Sequence, residues 1–368
     1  MKTPRLSFLL IFSLSLSLAA LLFFQGETTS LSVRRSSVLQ LGQSLSSSGQ
    51  RISFDRNETA SAYQLTYGWK DFNGELNSVS FSLSKQQLAE AEAEFGYYPE
   101  ELAKHLEESL ARMREEMMSH LERFTSQQVL LSKYSRYITM DKVSPKDFSL
   151  KVSAPASLSK EAKAEFDRIM SEIAAEQEAY QQRIEKEQEK KRKEFLETRG
   201  FRFTGGSMGV NYGLMVQNNR PRVEPVMETM REKYRKKSLR QFLALMLAFI
   251  QQVRYGLPPL EEKNKVILEF WVPPKVLVNN FGDCDSKGVT FASLWTTFKK
   301  YPFVLIKIPK HLFVGVGIPS IGSEGFTING IRYTLCEVTG PDLIPPGLIT
   351  QYSLLYLQGG NYRYELIN

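Results

Sequence analysis

Phe281-Gly282-Asp283-Cys284-Asp285-Ser286-Lys287-Gly288 decides how this chain is read, because it sets a cysteine between a glycine turn and the start of a helix. The apolar residues Val289, Phe291, Ala292, Leu294 and Trp295 follow at helical spacing, so Cys284 falls in the first turn. Unpaired backbone amides and the helix dipole favour a thiolate there. Downstream come His311, the sole histidine of the C-terminal half, and Glu337 within Leu335-Cys336-Glu337-Val338-Thr339. Nucleophile, base and orienting carboxylate thus appear in that order, which makes Cys284, His311 and Glu337 the candidate catalytic residues.

A chain of 368 residues has room for about two domains, and its 42% hydrophobic content is enough to build a core. Its two cysteines, Cys284 and Cys336, make no disulfide framework. With three histidines they also fall short of a standard structural zinc site, so chemistry without metal or cofactor is expected. Cys336 reads as a buried thiol; a Cys284–Cys336 disulfide in an oxidising compartment is the alternative, and it would silence the nucleophile. Asp283 and Asp285 read as capping residues rather than a calcium site. The net charge of +7 is compatible with nucleic-acid binding, but acids interrupt the basic residues, as in Glu185-Lys186-Glu187-Gln188-Glu189-Lys190. A solvated helix face explains that pattern, and no nucleic-acid partner is expected.

At the N-terminus Lys2 and Arg5 precede an uncharged run from Leu6 to Phe24, which as a helix would span about 28 Å. Export follows, with residues 1–26 read as a signal peptide or a retained anchor, the anchor being preferred, and residues 6–24 as the membrane contact. Residues 27–58, rich in Ser, Gln, Gly and Thr, read as a flexible tether. In 59–84, Tyr63, Leu65, Tyr67 and Trp69 alternate with polar residues, as do Val79, Phe81 and Leu83, which predicts a β-hairpin. Residues 85–200 read as a helical arm. One helix is predicted from Lys85 to about Leu131 and another from Lys160 to about Thr198, packed as an antiparallel hairpin. Its apolar seam thins beyond Ile184, where the arm projects into solvent or meets a protein partner, and His105 and His120 read as surface histidines.

Residues 201–368 form the second domain. Gly205-Gly206 reads as a turn rather than a phosphate loop. A helix is predicted from Val226 to Val253 behind Pro225, then loops at Pro258-Pro259 and Pro273-Pro274. Strands are predicted at Val304–Ile308, Leu312–Val316, Phe326–Ile328, Tyr333–Leu335 and Tyr352–Leu357, with a tight turn at Asn329-Gly330. A cysteine at a helix start followed by strands bearing histidine and carboxylate is an α+β layout.

Four pieces in order resemble the transglutaminase-like superfamily, in particular its exported bacterial cysteine peptidases. Phe249-Ile250-Gln251-Gln252-Val253-Arg254-Tyr255 resembles the upstream helix motif and Gly282-Asp283-Cys284 the nucleophile motif. The strand around His311 resembles the base strand, and Glu337-Val338-Thr339 the third motif, more often Asp-x-Thr. The likeness covers roughly residues 205 to 345. It implies a papain-like α+β core with a Cys-His-Glu triad that acts on amide bonds of protein or peptide substrates. Gln251 is then the candidate oxyanion donor beside the Cys284 amide, with Gln252 as the fallback. Hydrolysis as a peptidase or amidase is the favoured outcome, crosslinking by amine transfer an alternative. A tethered binding scaffold that keeps the fold without catalysis is the other.

Overall fold

The computed structural model describes residues 5–9, 53–144, 149–298, 300–321, 324–339 and 343–367. In chain order it comprises β1 (Arg5–Leu9), β2 (Phe54–Glu58), β3 (Ala62–Lys70), β4 (Leu76–Ser84), α1 (Lys85–Glu94), α2 (Pro99–Leu131), β5 (Thr139–Ser144), β6 (Ser149–Pro155) and α3 (Lys160–Thr198). It continues with β7 (Phe201–Thr204), β8 (Ser207–Val210), α4 (Tyr212–Lys233), α5 (Leu239–Gln252), β9 (Arg254–Tyr255), β10 (Glu261–Glu262), β11 (Lys265–Val266), α6 (Pro273–Asn279) and β12 (Phe281–Gly282). Last come α7 (Cys284–Trp295), β13 (Phe303–Ile308), β14 (His311–Val316), β15 (Phe326–Ile328), β16 (Ile331–Cys336), α8 (Gln351–Gln358) and β17 (Arg363–Ile367). The fold is α+β and divides into two compact units, residues 1–40 with 100–195, and 41–99 with 196–368. The arm's expected bounds are therefore corrected: residues 85–99 and 196–200 belong with the second unit.

In the first unit α2 and α3 run antiparallel, as ring contacts of His120 with Tyr180 (5.1 Å) and of His105 with Phe195 (5.0 Å) show. Met117, Met118 and Leu121 pack with Tyr180 and Ile184, and Ile138 and Val152 with Phe166, Ile169 and Ile173. The seam thins beyond Ile184 as expected: no residue from 185 to 195 is buried, and the ring contact of Phe195 with His105 closes that end. The connector between the two helices forms strands β5 and β6, in a sheet ordered β1-β6-β5. Charged residues such as Lys191 and Glu194 pair along α3 at i,i+3 (2.9 Å), the solvated pattern expected. Of the uncharged N-terminal run, Leu6–Leu9 lie in β1 and pair with β6 rather than forming a helix; its remainder and residues 27–52 of the tether lie outside the described residues. Among the described residues no helix is long and apolar enough to cross a membrane.

The second unit begins with a meander, β2-β3-β4, in which Leu65, Tyr67, Trp69, Val79, Phe81 and Leu83 are buried on one face. The hairpin is thus extended by Phe54–Glu58, which pair with β3 instead of continuing the tether. Tyr67 and Trp69 pack edge-on and tilted against Phe249 of α5, at 5.1 and 5.3 Å. The expected Lys85–Leu131 helix is broken at Gly96, whose φ of +85° and close approach to the Val266 carbonyl exclude a side chain, and Pro99 restarts it. The expected Val226–Val253 helix is also two. Pro221 and Pro225 sit inside α4, which a capping box at Ser238 separates from α5. A proline inside a helix costs about 3 kcal/mol. Burial of Val216, Val223, Val226, Met227 and Met230 outweighs it.

The site rests on a five-stranded antiparallel sheet ordered β15-β16-β14-β13-β17 and on α7. Asn329 (φ +49°) and Gly330 (φ +77°) make the predicted tight turn between β15 and β16. Tyr352–Leu357 are helical, not extended: Thr350 caps α8 by accepting from Ser353 N (3.1 Å), and Gly359-Gly360 end it. Every residue of α7 except Asp285 is buried, its apolar residues by packing and Lys287, Thr290 and Ser293 with their polar atoms bonded to backbone carbonyls. Gly288 permits this, because a Cβ there would collide with Leu312 of β14. Gly288→Ala adds roughly 1 kcal/mol of helix propensity but overpacks a fully buried contact, which costs about 1–3 kcal/mol. A net loss of stability is expected in urea unfolding, and a stabilised variant would contradict this account of the packing.

Candidate active site

Three local devices aim Cys284. Phe281 and Gly282 pair in parallel with Arg254 and Tyr255, which fixes the chain's approach to α7. Asp283 caps the helix, its Oδ1 accepting from Ser286 N at 2.9 Å. Ser286 Oγ accepts from Trp271 N at 3.0 Å and ties the first turn to the preceding loop. Cys284 is left 8% exposed, its sulfur against the backbone of Leu312.

His311 opens β14 after Lys310, whose φ of +60° makes the turn, and Tyr352 braces that turn by donating to the Pro309 carbonyl (2.8 Å). His311 Nε2 meets Glu337 Oε1 at 2.5 Å. Glu337 is fully buried, and its Oε2 accepts from Thr350 N (3.3 Å) and Ser353 Oγ (3.0 Å). Both carboxylate oxygens are therefore held, and a carboxylate acceptor at Nε2 leaves Nδ1 as the ring nitrogen free for a thiol proton. The extra methylene of Glu relative to Asp is accommodated by α8, the element expected as a strand.

The thiol itself departs from expectation. Burial first, and then the charges of Asp285 and Asp283, push its pKa well above the usual thiol value, so the helix N-terminus does not win. Among the described residues Cys284 Sγ donates to Asp285 Oδ1 (3.5 Å) and makes no hydrogen bond to His311. Asp285 is itself fixed by the Tyr212 hydroxyl and by Lys307 Nζ, 3.3 Å from Oδ2. Burial and the Asp285 charge also push Asp283 up to about 6. Ligand atoms of Asp283, Cys284 and Asp285 lie within 4.8 Å of one another, yet the cap engages Asp283 and Lys307 neutralises Asp285.

Gln251 is not an oxyanion donor. Its Nε2 donates to the carbonyls of Glu337 (2.6 Å) and Ile344 (2.8 Å), which uses both amide hydrogens, while its Oε1 accepts from Ile344 N (3.1 Å). The fallback fails in the same way: Gln252 Nε2 donates to the carbonyls of Lys70 (2.7 Å) and Ala248 (2.9 Å). The first-turn amide of Cys284 remains the donor beside the sulfur. Both cysteines are free, and Cys336 is buried opposite Val314, where desolvation pushes its pKa up. His105 and His120 lie in the first unit, in ring contact with Phe195 and Tyr180.

Sequence reasoning missed Ser353, Tyr212, Lys307 and Lys287. Only Lys287 carried a signal, a basic residue three positions after Cys284 at the start of the apolar run Val289–Trp295. Two outcomes test these placements. Asp285→Asn removes a negative charge beside the thiol and is expected to move the pH profile of Cys284 alkylation down by roughly one unit; an upward shift refutes the electrostatic assignment. Gln251→Ala strands the backbone groups that its amide satisfies and is expected to cost about 2 kcal/mol in chemical denaturation, whereas a purely oxyanion role would leave stability unchanged. No protein-family model, curated protein or solved structure matches this chain.

Proposed function

We propose that this chain is a thiol hydrolase of the transglutaminase-like type that cleaves amide bonds in protein or peptide substrates. One observation carries the reading: a fully buried carboxylate, bonded through both oxygens, grips the imidazole of His311 beside the first turn of a helix that begins with cysteine. A core that needed only packing would not bury an ionisable pair at this position.

In the proposed reaction substrate entry shifts the thiol hydrogen bond from Asp285 to His311 Nδ1. His311 takes the proton while Sγ attacks the amide carbonyl, and Glu337 holds the ring and balances the imidazolium. The oxyanion faces the Cys284 amide. Collapse breaks the C–N bond, and His311 returns its proton to the departing amine, leaving a thioester. Water, deprotonated by His311, then attacks the thioester to release the acid and regenerate the thiol. An amine in place of water would give crosslinking. The uncharged run Leu6–Phe24 supports export and retention at a membrane.

A second reading, a binding protein without catalysis, is favoured by the buried thiol bonded to Asp285. The test compares wild type with Cys284→Ala on a mixture of exported proteins, reading new N-termini and crosslinks by mass spectrometry. New termini that need Cys284 and increase from pH 7 to 9, as the raised thiol pKa requires, support the hydrolase. Crosslinks without new termini make it a transferase. Identical peptide maps for both proteins would leave the binding role standing.

A further inference from the structure

Lys287 is 1% exposed and stands one turn after Cys284. Its Nζ donates to the carbonyls of Gln251 (3.0 Å) and Val253 (2.8 Å). These carbonyls lie at the C-terminal end of α5, where helical C=O groups lack intrahelical partners. Gln251 in turn commits its side chain to the Glu337 carbonyl and to Ile344. Bonded contacts therefore run unbroken from the cysteine helix, through Gln251, to the residue that grips His311.

We propose that Lys287 is a positioning residue, anchoring α7 to Gln251 so that Cys284 is held in register with the His311–Glu337 pair. The inference rests on the thiol-enzyme reading above and adds to it a residue that touches neither substrate nor the reacting atoms. A side chain needed only for volume would be Met or Leu, since burying an ammonium is costly. The donors rather than the charge are what the site uses. Burial pulls the Lys287 pKa down to about 7, and the neutral amine still has one N–H for each of the two carbonyls. The other titratable groups that act on the cysteine are Asp283, Asp285, Tyr212 and Tyr255, with Lys307 behind Asp285; among the described residues none of these five bonds to Gln251.

The test measures the second-order rate of Cys284 alkylation by iodoacetamide at pH 8, in the full chain carrying Cys336→Ala. It uses Lys287→Met, His311→Ala and their combination, with folding checked by circular dichroism. Entry of the reagent, like that of substrate, shifts the thiol bond from Asp285 to His311 Nδ1, so Lys287→Met is expected to slow alkylation about tenfold alone and to add nothing in the His311→Ala background, because both changes prevent that pairing. A wild-type rate in folded Lys287→Met, or an equal loss in both backgrounds, overturns the proposal. An unchanged rate in His311→Ala alone refutes the thiol-enzyme reading instead, so the two failures are separate. Lys287→Gln, which keeps two N–H donors without charge, covers a Met variant that does not fold. A rate within threefold of wild type supports donor-based positioning, a tenfold loss overturns it, and failure of both variants to fold reduces Lys287 to a structural residue.

Discussion

The close packing of α7 on β14 across Gly288 and Leu312 is the constraint on which the rest of the site depends. The Leu312 side chain fills the space that a Cβ at Gly288 would need, and this packing brings the first turn of α7 to the start of β14. Farther along α7, Phe291 packs on Phe303 of β13 and Trp295 on Phe242 of α5, and both are fully buried, as is Val289. Large side chains of this kind contribute about 2–3 kcal/mol each, enough to hold a helix whose short polar start must tolerate a buried carboxyl group, Asp283, and a buried lysine. The apolar core thus sustains the electrostatic strain at Asp283, Cys284 and Lys287.

The carboxylates divide by partner. Glu337 has no exposure, yet His311, Thr350 and Ser353 satisfy its oxygens, so its orientation is determined. Asp285 is shared among Tyr212, Lys307 and the thiol, and holds the sulfur in its protonated form. A helix start contributes a partial positive charge, but two full negative charges and desolvation in the same few ångströms exceed it. In the resting site the Cys284 thiol is bonded to Asp285, and the His311 ring to Glu337.

Much of the second unit was legible in the sequence. Alternation marks β3 and β4, apolar runs mark β13 and β14, and Asn329-Gly330 marks the turn between β15 and β16. The misreadings share a cause, local signals overruled by packing or by a cap. Pro225 reads as a boundary, but the buried apolar face of α4 carries the helix through it. Tyr352–Leu357 has the composition of a strand, but Thr350 and Ser353 close a helix start. Gly96 looks tolerable within a helix until the approach of the Val266 carbonyl makes it a break. Gln251 has the right chemistry and the right neighbourhood for an oxyanion donor, yet backbone carbonyls distant in sequence claim both of its hydrogens.

The sequence by itself determined the α+β class, the cysteine at a helix start and the order Cys284, His311, Glu337, because periodicity, capping residues and rare reactive side chains are local properties. Only the tertiary structure decided which groups meet. It gave Glu337 a second set of donors from α8, consumed the amide of Gln251, attached Lys287 to the end of α5 and turned the Cys284 thiol towards Asp285. These outcomes depend on desolvation and on hydrogen bonds between residues far apart in the chain, and neither quantity exists until the helix has packed on the sheet.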